Sequence, residues 1–451
     1  MIDVVTIETP GLGDRSYVAH DGDVAMVIDP QRDTDRVAAI TDSLGLRVVL
    51  VAETHLHNDY VTGGYSLAQA AGASYIVAAD DELSFERVAA GDGDRFAAGR
   101  MSLTALHTPG HTPNHLSYVL SEADGDPLAV FTGGSMLFGA VGRTDLISAE
   151  RIEELTRAQY HSVRRLAGVL GDQVAVHPTH GFGSFCSASR TTGDASTIGN
   201  ERAQNVALVT DDEDCFVKAL IAGLGAYPRY YAYMAPANAA GPPAPDLAPP
   251  AEVDPVELRR RIDAHQWVVD LRQRRAFARS HVAGTVSIEL GDPFATYVGW
   301  AIPWGEPITL IGDTAEQVSA AQRQLCRIGI DRLAGRAIGG VDAIALGRLG
   351  SYRVSDFEGL ARAWGGADLV VLDVRAPDEW AAGHLRGALH TPFWELDERA
   401  SEVPPGEVWV YCAAGYRSSI GASILERAGR QVVLVDDDWD RASECGLPLE
   451  S

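Results

Sequence analysis

Residues 408–418 read VWVYCAAGYRS. A short β-favouring apolar run delivers Cys412 to its end, Gly415 permits a tight turn, and a helix is expected to begin near Ser418. A strand that stops at a cysteine, followed by a loop and a helix N-terminus, aims backbone N–H groups at the sulfur. Such a cradle lowers a thiol pKa and stabilises an anion beside it. A sulfur-accepting nucleophile needs both, first as thiolate and then as persulfide anion. Arg417 is expected to add the one nearby cation. Ala413 and Ala414 add no charge, so the loop formed with Gly415, Tyr416 and Ser418 suits a thiol persulfide better than a sulfonate-bearing donor. A free cysteine after a strand is commonly just buried; the CxxGxRS spacing argues for chemistry here.

Upstream, residues 369–387 read LVVLDVRAPDEWAAGHLRG, and residues 267–284 read WVVDLRQRRAFARSHVAG. Each runs apolar strand, Asp, apolar residue, Arg, a short helix with a buried aromatic (Trp380 or Phe277), then His and Gly. The copies begin about 100 residues apart, so each marks one small domain. Strands alternating with helices predict parallel-sheet α/β units. In the earlier copy PITLIGDTAEQ (307–317) stands where the cysteine loop should be. Gly312 or Asp313 takes the nucleophile's place, and Cys326 falls on the following helix. The later copy resembles the rhodanese family over about residues 355–451. The resemblance implies a persulfide on Cys412, with Asp373 and Arg375 as structural supports. Asp437-Asp438 departs from the family's usual Gly-Gly, and Ala413 stands where thiosulfate-using members often carry Arg. The earlier copy resembles the same fold without its chemistry.

GPPAPDLAPPAEVDP (241–255) is dominated by Pro and Ala and reads as a semi-rigid linker. Before it, strands are predicted at 2–8, 15–20, 24–28, 46–52, 74–78, 101–106, 115–120, 127–131 and 173–177. Helices are predicted at 33–44, capped at Asp33 or Thr34 and stopped by Gly45, and at 62–71. Mostly strand with interspersed helices suggests two sheets sandwiched by helices. The expected organisation is a first domain at 1–240, a linker at 241–252, a non-catalytic domain at 253–350 and a catalytic domain at 351–451.

In the first block VAETHLHNDYVTGG (51–64) carries His55, His57 and Asp59 beyond a strand. HTPGHTPNH (107–115) and HPTHG (177–181) put further histidines at strand ends. Three separated histidine-bearing loops are a plausible metal constellation, though any one histidine alone could be a satisfied core or surface residue. With TPGHT (108–112), FTGG (131–134), GRTDL (142–146) and YPRYYAYMAPANAAGP (227–242), the block resembles the metallo-β-lactamase superfamily, in its glyoxalase II and persulfide dioxygenase branch. The resemblance implies an αββα sandwich followed by the two parallel-sheet rhodanese domains. It assigns His55, His57 and His111 to one metal, with Asp59 and His180 around it or at a second site. Tyr60 replaces the motif's last histidine and Gly134 replaces its carboxylate, so one divalent ion is expected, Fe(II) first and Zn(II) as alternative. Restoring Asp at 134 is expected to raise iron affinity, provided the backbone there tolerates a side chain.

Bulk properties fit this reading. Thirty-seven Lys and Arg against 62 Asp and Glu give a net charge of −25, which disfavours nucleic acid and anionic membranes as partners. The five cysteines (186, 215, 326, 412, 445) are scattered and contain no CxxC pair, which fits a reducing cytoplasm. No signal peptide is expected from MIDVVTIETPGLGDRS, and no membrane span. The resulting expectation is oxidation of a low-molecular-weight thiol persulfide by O₂, coupled to sulfur transfer through Cys412, in a chain that can form homo-oligomers. The alternatives are a thioester hydrolase fused to a rhodanese, or a metal-free docking domain beside a sulfurtransferase.

Overall fold

The structure, a computed structural model, describes residues 1–123, 125–189, 191 and 193–450. Its contacts divide the chain into two units. The first is Met1–Pro245 with Cys326–Gly329, and the second is Asp246–Leu325 with Ile330–Ser451.

Among the described residues, the first unit holds two six-stranded sheets. One runs, in spatial order, Asp3–Thr9, Asp14–His20, Val24–Ile28, Arg47–Ala52, Ser74–Ala78 and Val88–Ala90. The other runs Ser196–Thr197, Ala175–Pro178, Pro127–Gly133, Leu116–Glu122, Met101–His107 and Arg95–Ala98. Strand alternation sorts the side chains. In Arg47–Ala52, Leu50 and Ala52 face inward to meet Met101, Leu103, Tyr118 and Phe131 of the opposite sheet. Val51 points outward, with Val18, Val27 and Val77, onto Val37 of helix Asp35–Leu44 and Ala68 of helix Gly64–Ala71. The outer face of the second sheet packs on helices Ile152–Val169 and Glu213–Ala222. A one-residue register slip would exchange these two sets, so the period-2 pattern fixes the helix–sheet–sheet–helix layering.

Helix Asp35–Leu44 stops at Gly45 in the left-handed conformation (φ 66°), but the Thr34 side chain makes no capping bond. Helix Ile152–Val169 and the strands Val88–Ala90 and Arg95–Ala98 were not expected from sequence.

The second unit contains two parallel sheets among its described residues. One is ordered Val286–Ser287, Trp267–Asp270, Ile308–Gly312, Gly335–Ile338. The other is ordered Arg353–Ser355, Gln431–Val435, Glu407–Tyr411, Leu369–Asp373, Leu389–His390. The sequence repeat is also a repeat of geometry. Arg272 binds Asp270 (2.7 Å) and donates to the Ser280 carbonyl (3.0 Å); Arg375 binds Asp373 (2.6 Å) and donates to the Gly383 carbonyl (2.7 Å). His281 stacks on Phe277 at 3.9 Å and donates Nδ1–H to its carbonyl; His384 does the same with Trp380, ring to ring at 3.4 Å. Trp380 is only half-buried, unlike Phe277.

The Pro/Ala-rich stretch is irregular, and each end is tied within its own unit. Arg32 donates to the Pro243 carbonyl (3.1 Å), whereas Gln322 donates to the carbonyls of Asp246 (3.3 Å) and Ala248 (2.9 Å). No helix among the described residues is long and apolar enough to cross a membrane.

Candidate functional site

In the first unit, strand Arg47–Ala52 ends just before Thr54-His55, and the loop that follows turns His55, His57 and Asp59 inward. All three are fully buried, as are His111, His115 and His180. Four of the rings anchor one nitrogen to the protein. His55 Nδ1 meets Thr54 Oγ1 (2.9 Å). His57 Nε2 faces Glu53 (3.2 Å), Asp29 (3.3 Å) and the Tyr60 hydroxyl (2.9 Å). His111 Nδ1–H donates to the Arg143 carbonyl (2.7 Å), and His180 Nδ1 lies at 2.9 Å from Asp14 and 3.1 Å from Asp59. The opposite nitrogens are left over. His57 Nδ1 and His111 Nε2 have no hydrogen-bond partner among the described residues, and the Nε2 atoms of His55 and His180 face each other at 3.2 Å.

Two imidazole lone pairs at that distance repel unless a proton or a cation lies between them. Metal-ligating histidines characteristically have their second nitrogen tied to a carboxylate or carbonyl. The donor set therefore fits one divalent ion. The ligand atoms of His55, His57 and His180 lie within 4.8 Å of one another, and so do those of His111, His180 and Cys186. His180 thus belongs to both groups, and the His111 ring lies 4.8 Å from that of His55 and 5.1 Å from that of His180, so the two groups adjoin.

Electrostatics follow the same division. Burial disfavours a charged His57, but Asp29 and Glu53 outweigh it and lift the ring to about 9. Against the same penalty Asp59 and Asp14 lift His180 to about 10. Burial drives His111 down to about 3 and holds His55 well below the ordinary range. Burial and Asp59 push Asp14 up, whereas His180 overrides burial at Asp59 and holds it below the usual carboxylate range.

Tyr60 stacks on the His57 ring at 4.2 Å, and its hydroxyl, beside His57 Nε2, donates to the Asp29 carbonyl (3.2 Å). His115 spends both nitrogens, one on Thr108 Oγ1 (2.9 Å) and one accepting the Gly134 N–H (3.0 Å). At Gly134 an added Cβ would lie 2.2 Å from the His111 ring, so the ring occupies the space a carboxylate there would need. Sequence reading missed Asp14, Asp29, Glu53 and Cys186. Asp29 ends strand Val24–Ile28 with φ 50°, a conformation rare for non-glycine residues, and receives bonds from Thr54 N–H (2.7 Å) and Thr54 Oγ1 (2.7 Å) as well as Thr179. The Asp that closes MVID is a signal for it only once the strand end is known.

In the second unit, Cys412 follows strand Glu407–Tyr411 and is 2% exposed. Gly415 takes φ 85° within a Cβ's reach of Asp436, and helix Tyr416–Arg427 begins there, two residues before the expected start. Its first turn leaves N–H groups without intrahelical partners. Cys412 Sγ lies 3.4 Å from Ser418 Oγ, which donates to the Gly415 or Val435 carbonyl (both 3.0 Å), and Ala413 accepts from the Trp439 N–H (2.8 Å). Arg417 lies close enough to Cys412 to interact with its charge, but it is itself paired. Both its terminal nitrogens bind the Glu379 carboxylate, one at 2.8 Å. The earlier repeat contributes Tyr297, whose ring lies 4.8 Å from that of Tyr416, and Arg274 and Arg275, which pair with Asp436. In that repeat strand Ile308–Gly312 leads into Asp313, and Cys326 is buried on helix Ala315–Arg327.

Residues 357–445 match the family of the rhodanese-like domain. Human mitochondrial persulfide dioxygenase ETHE1 is 31% identical over 215 residues, 46% of this chain and 74% of that protein. The chain belongs to the persulfide dioxygenase ETHE1 family. A solved metallo-beta-lactamase from Staphylococcus aureus subsp. aureus COL, 28% identical, superposes with a TM-score of 0.67 over 75% of this chain and 99% of its own. A hydroxyacylglutathione hydrolase from Methylobacillus flagellatus is 33% identical over 154 residues, but this covers only 34% of the chain and 56% of the hydrolase. The first unit has the metallo-β-lactamase fold, and the persulfide dioxygenase kinship together with the rhodanese-like domain makes the chain an enzyme of sulfur metabolism.

Proposed function

We propose that this persulfide dioxygenase relative carries out two linked sulfur reactions. In the first unit a low-molecular-weight thiol persulfide is oxidised: RSSH + O₂ + H₂O → RSH + H₂SO₃. In the second, the Cys412 thiolate attacks the terminal sulfur of a persulfide: Cys412–S⁻ + RSSH → Cys412–S–SH + RS⁻. One chain holding both sites raises the effective concentration of the shared sulfur.

The observation that carries the first reaction is the set of buried rings, each with one nitrogen fixed to the protein and the other left over. His55, His57, His111 and His180 would hold one divalent ion, Fe(II) first and Zn(II) as alternative, which supplies Lewis acidity and, if iron, redox chemistry with O₂. Asp29 and Glu53 hold the His57 ring by its Nε2, Asp14 and Asp59 hold His180, and complete burial excludes bulk water. Thioester hydrolysis usually relies on two metals bridged by a carboxylate, and Gly134 provides none.

For sulfur transfer, Cys412 is the nucleophile, and the N–H groups of the loop and of the helix start would stabilise the anion, while Ser418 accepts from the thiol. Arg417, tied to Glu379, orders the loop and leaves it nearly neutral. Residues 253–350 act as a non-catalytic rhodanese-like copy that walls the Cys412 loop with Tyr297. The paired Asp–Arg clamps support that reading, as does Asp313 where a nucleophile would stand.

The test is chemical. With a thiol persulfide, mass spectrometry should find one extra sulfur on Cys412, and sulfite should form one per O₂ consumed. Cys412→Ser should lose sulfur transfer, while Cys326→Ser and Cys445→Ser should keep it. Transfer that survives in Cys412→Ser overturns the assignment.

A further inference from the structure

We propose that Cys186 is a metal ligand whose thiolate joins His111 and His180 and supplies the negative charge that Gly134 withholds. The proposal rests on the reading that the histidine cluster holds one divalent ion. Cys186, His111 and His180 are each 0% exposed, and their ligand atoms lie within 4.8 Å of one another. His111 Nε2 is buried with no partner among the described residues, so it has a lone pair to give.

The backbone holds the two ligands together. Arg143 donates its N–H to the Cys186 carbonyl (2.8 Å) and accepts His111 Nδ1–H on its own carbonyl (2.7 Å), so one residue orients both. The Cys186 N–H is in turn fixed by Ser184 Oγ (3.2 Å).

The carboxylates of Asp29 and Glu53 at His57, and of Asp14 and Asp59 at His180, compensate the ion's charge only through the rings they hold; a thiolate would place one negative charge on the metal directly. A side chain at 134 cannot help, because its Cβ would lie 2.2 Å from the His111 ring. Two histidines and one carboxylate form the usual facial set of non-haem iron oxygenases; here a thiolate would be the anionic ligand beside the histidine cluster. As the sulfur–metal bond forms, the S–H proton is released to solvent, one per ion bound. An inert buried cysteine beside a metal site made of histidines alone is the rival explanation.

Cobalt(II) loaded into the full chain distinguishes them. The native protein and Cys412→Ser should each bind one Co(II) and show a near-ultraviolet thiolate-to-cobalt charge-transfer band, and X-ray absorption on Cys412→Ser should find one sulfur bound to cobalt. Cys186→Ser should lose the band and bind Co(II) more weakly by at least the ~10–100-fold that even outer-shell changes cause. One Co(II) per chain with no band and no sulfur, or an unchanged band in Cys186→Ser, overturns Cys186 as a ligand and leaves the histidine site standing. No Co(II) bound by the native protein overturns the histidine site itself. The absorption measurement decides the question even if Cys186→Ser fails to fold.

Discussion

At position 134 a side chain has nowhere to go. The sequence suggested that an aspartate there would rebuild a familiar ligand and raise iron affinity, with a positive φ as the main risk. The obstacle is steric instead: the His111 ring stands 2.2 Å from where the Cβ would be. Gly134→Asp should therefore displace His111, weaken metal binding and cost about 1–3 kcal/mol of stability, as overpacking does. Metal content and a denaturation curve check this, and tighter iron binding with unchanged stability would refute it. The other telling residue is Glu379. It neutralises Arg417 beside Cys412, so Glu379→Gln should free a cation for a sulfonate and raise thiosulfate kcat/KM about tenfold, the worth of one charge-assisted hydrogen bond. Adding a cation directly, with Ala413→Arg, should act in the same direction. Unchanged donor preference in both variants would mean that loop charge does not select the donor.

The strand–Asp–X–Arg element was the most legible part of the chain. Its two copies were visible in sequence because a buried ion pair needs fixed residue types at fixed spacing, and the folded clamps differ by only tenths of an ångström. Asp373 is fully buried and Arg375 nearly so. Removing one partner of such a pair costs about 3–5 kcal/mol, so Asp373→Asn should lower the denaturation midpoint markedly while leaving metal content unchanged. Metal loss in that variant would mean the two sites do not fold independently. Helix Ile152–Val169 was less legible, although Leu155, Gln159, Val163 and Leu166 line its buried side at helical spacing. Its many charged residues hid the apolar stripe. The start of helix Tyr416–Arg427 was misjudged by two residues, because Gly415 takes up the turn by itself.

Across the whole molecule, what could be read depended on whether the signal was local. The layered first unit and the parallel sheets follow from strand periodicity and short connections. The histidines were found because they sit in three compact motifs. Most of their supports were not found, because they come from far along the chain: Asp14 bonds His180 across 166 positions, and Thr179 reaches Asp29 across 150; Glu53 stands only four positions before His57 but carries no signal of its role until the strand end turns it inward. Cys186 carried no motif at all, and only folding brings it to His111 and His180. We propose that this buried cluster oxidises persulfide sulfur with O₂. The direct measurement is oxygen uptake by Fe(II)-loaded full-length protein given a low-molecular-weight thiol persulfide. The native chain should consume O₂ above background, Cys412→Ser should still do so, and iron-treated His55→Ala should not. If native and His55→Ala proteins are equally inert while Cys412 transfers sulfur normally, the claim is contradicted.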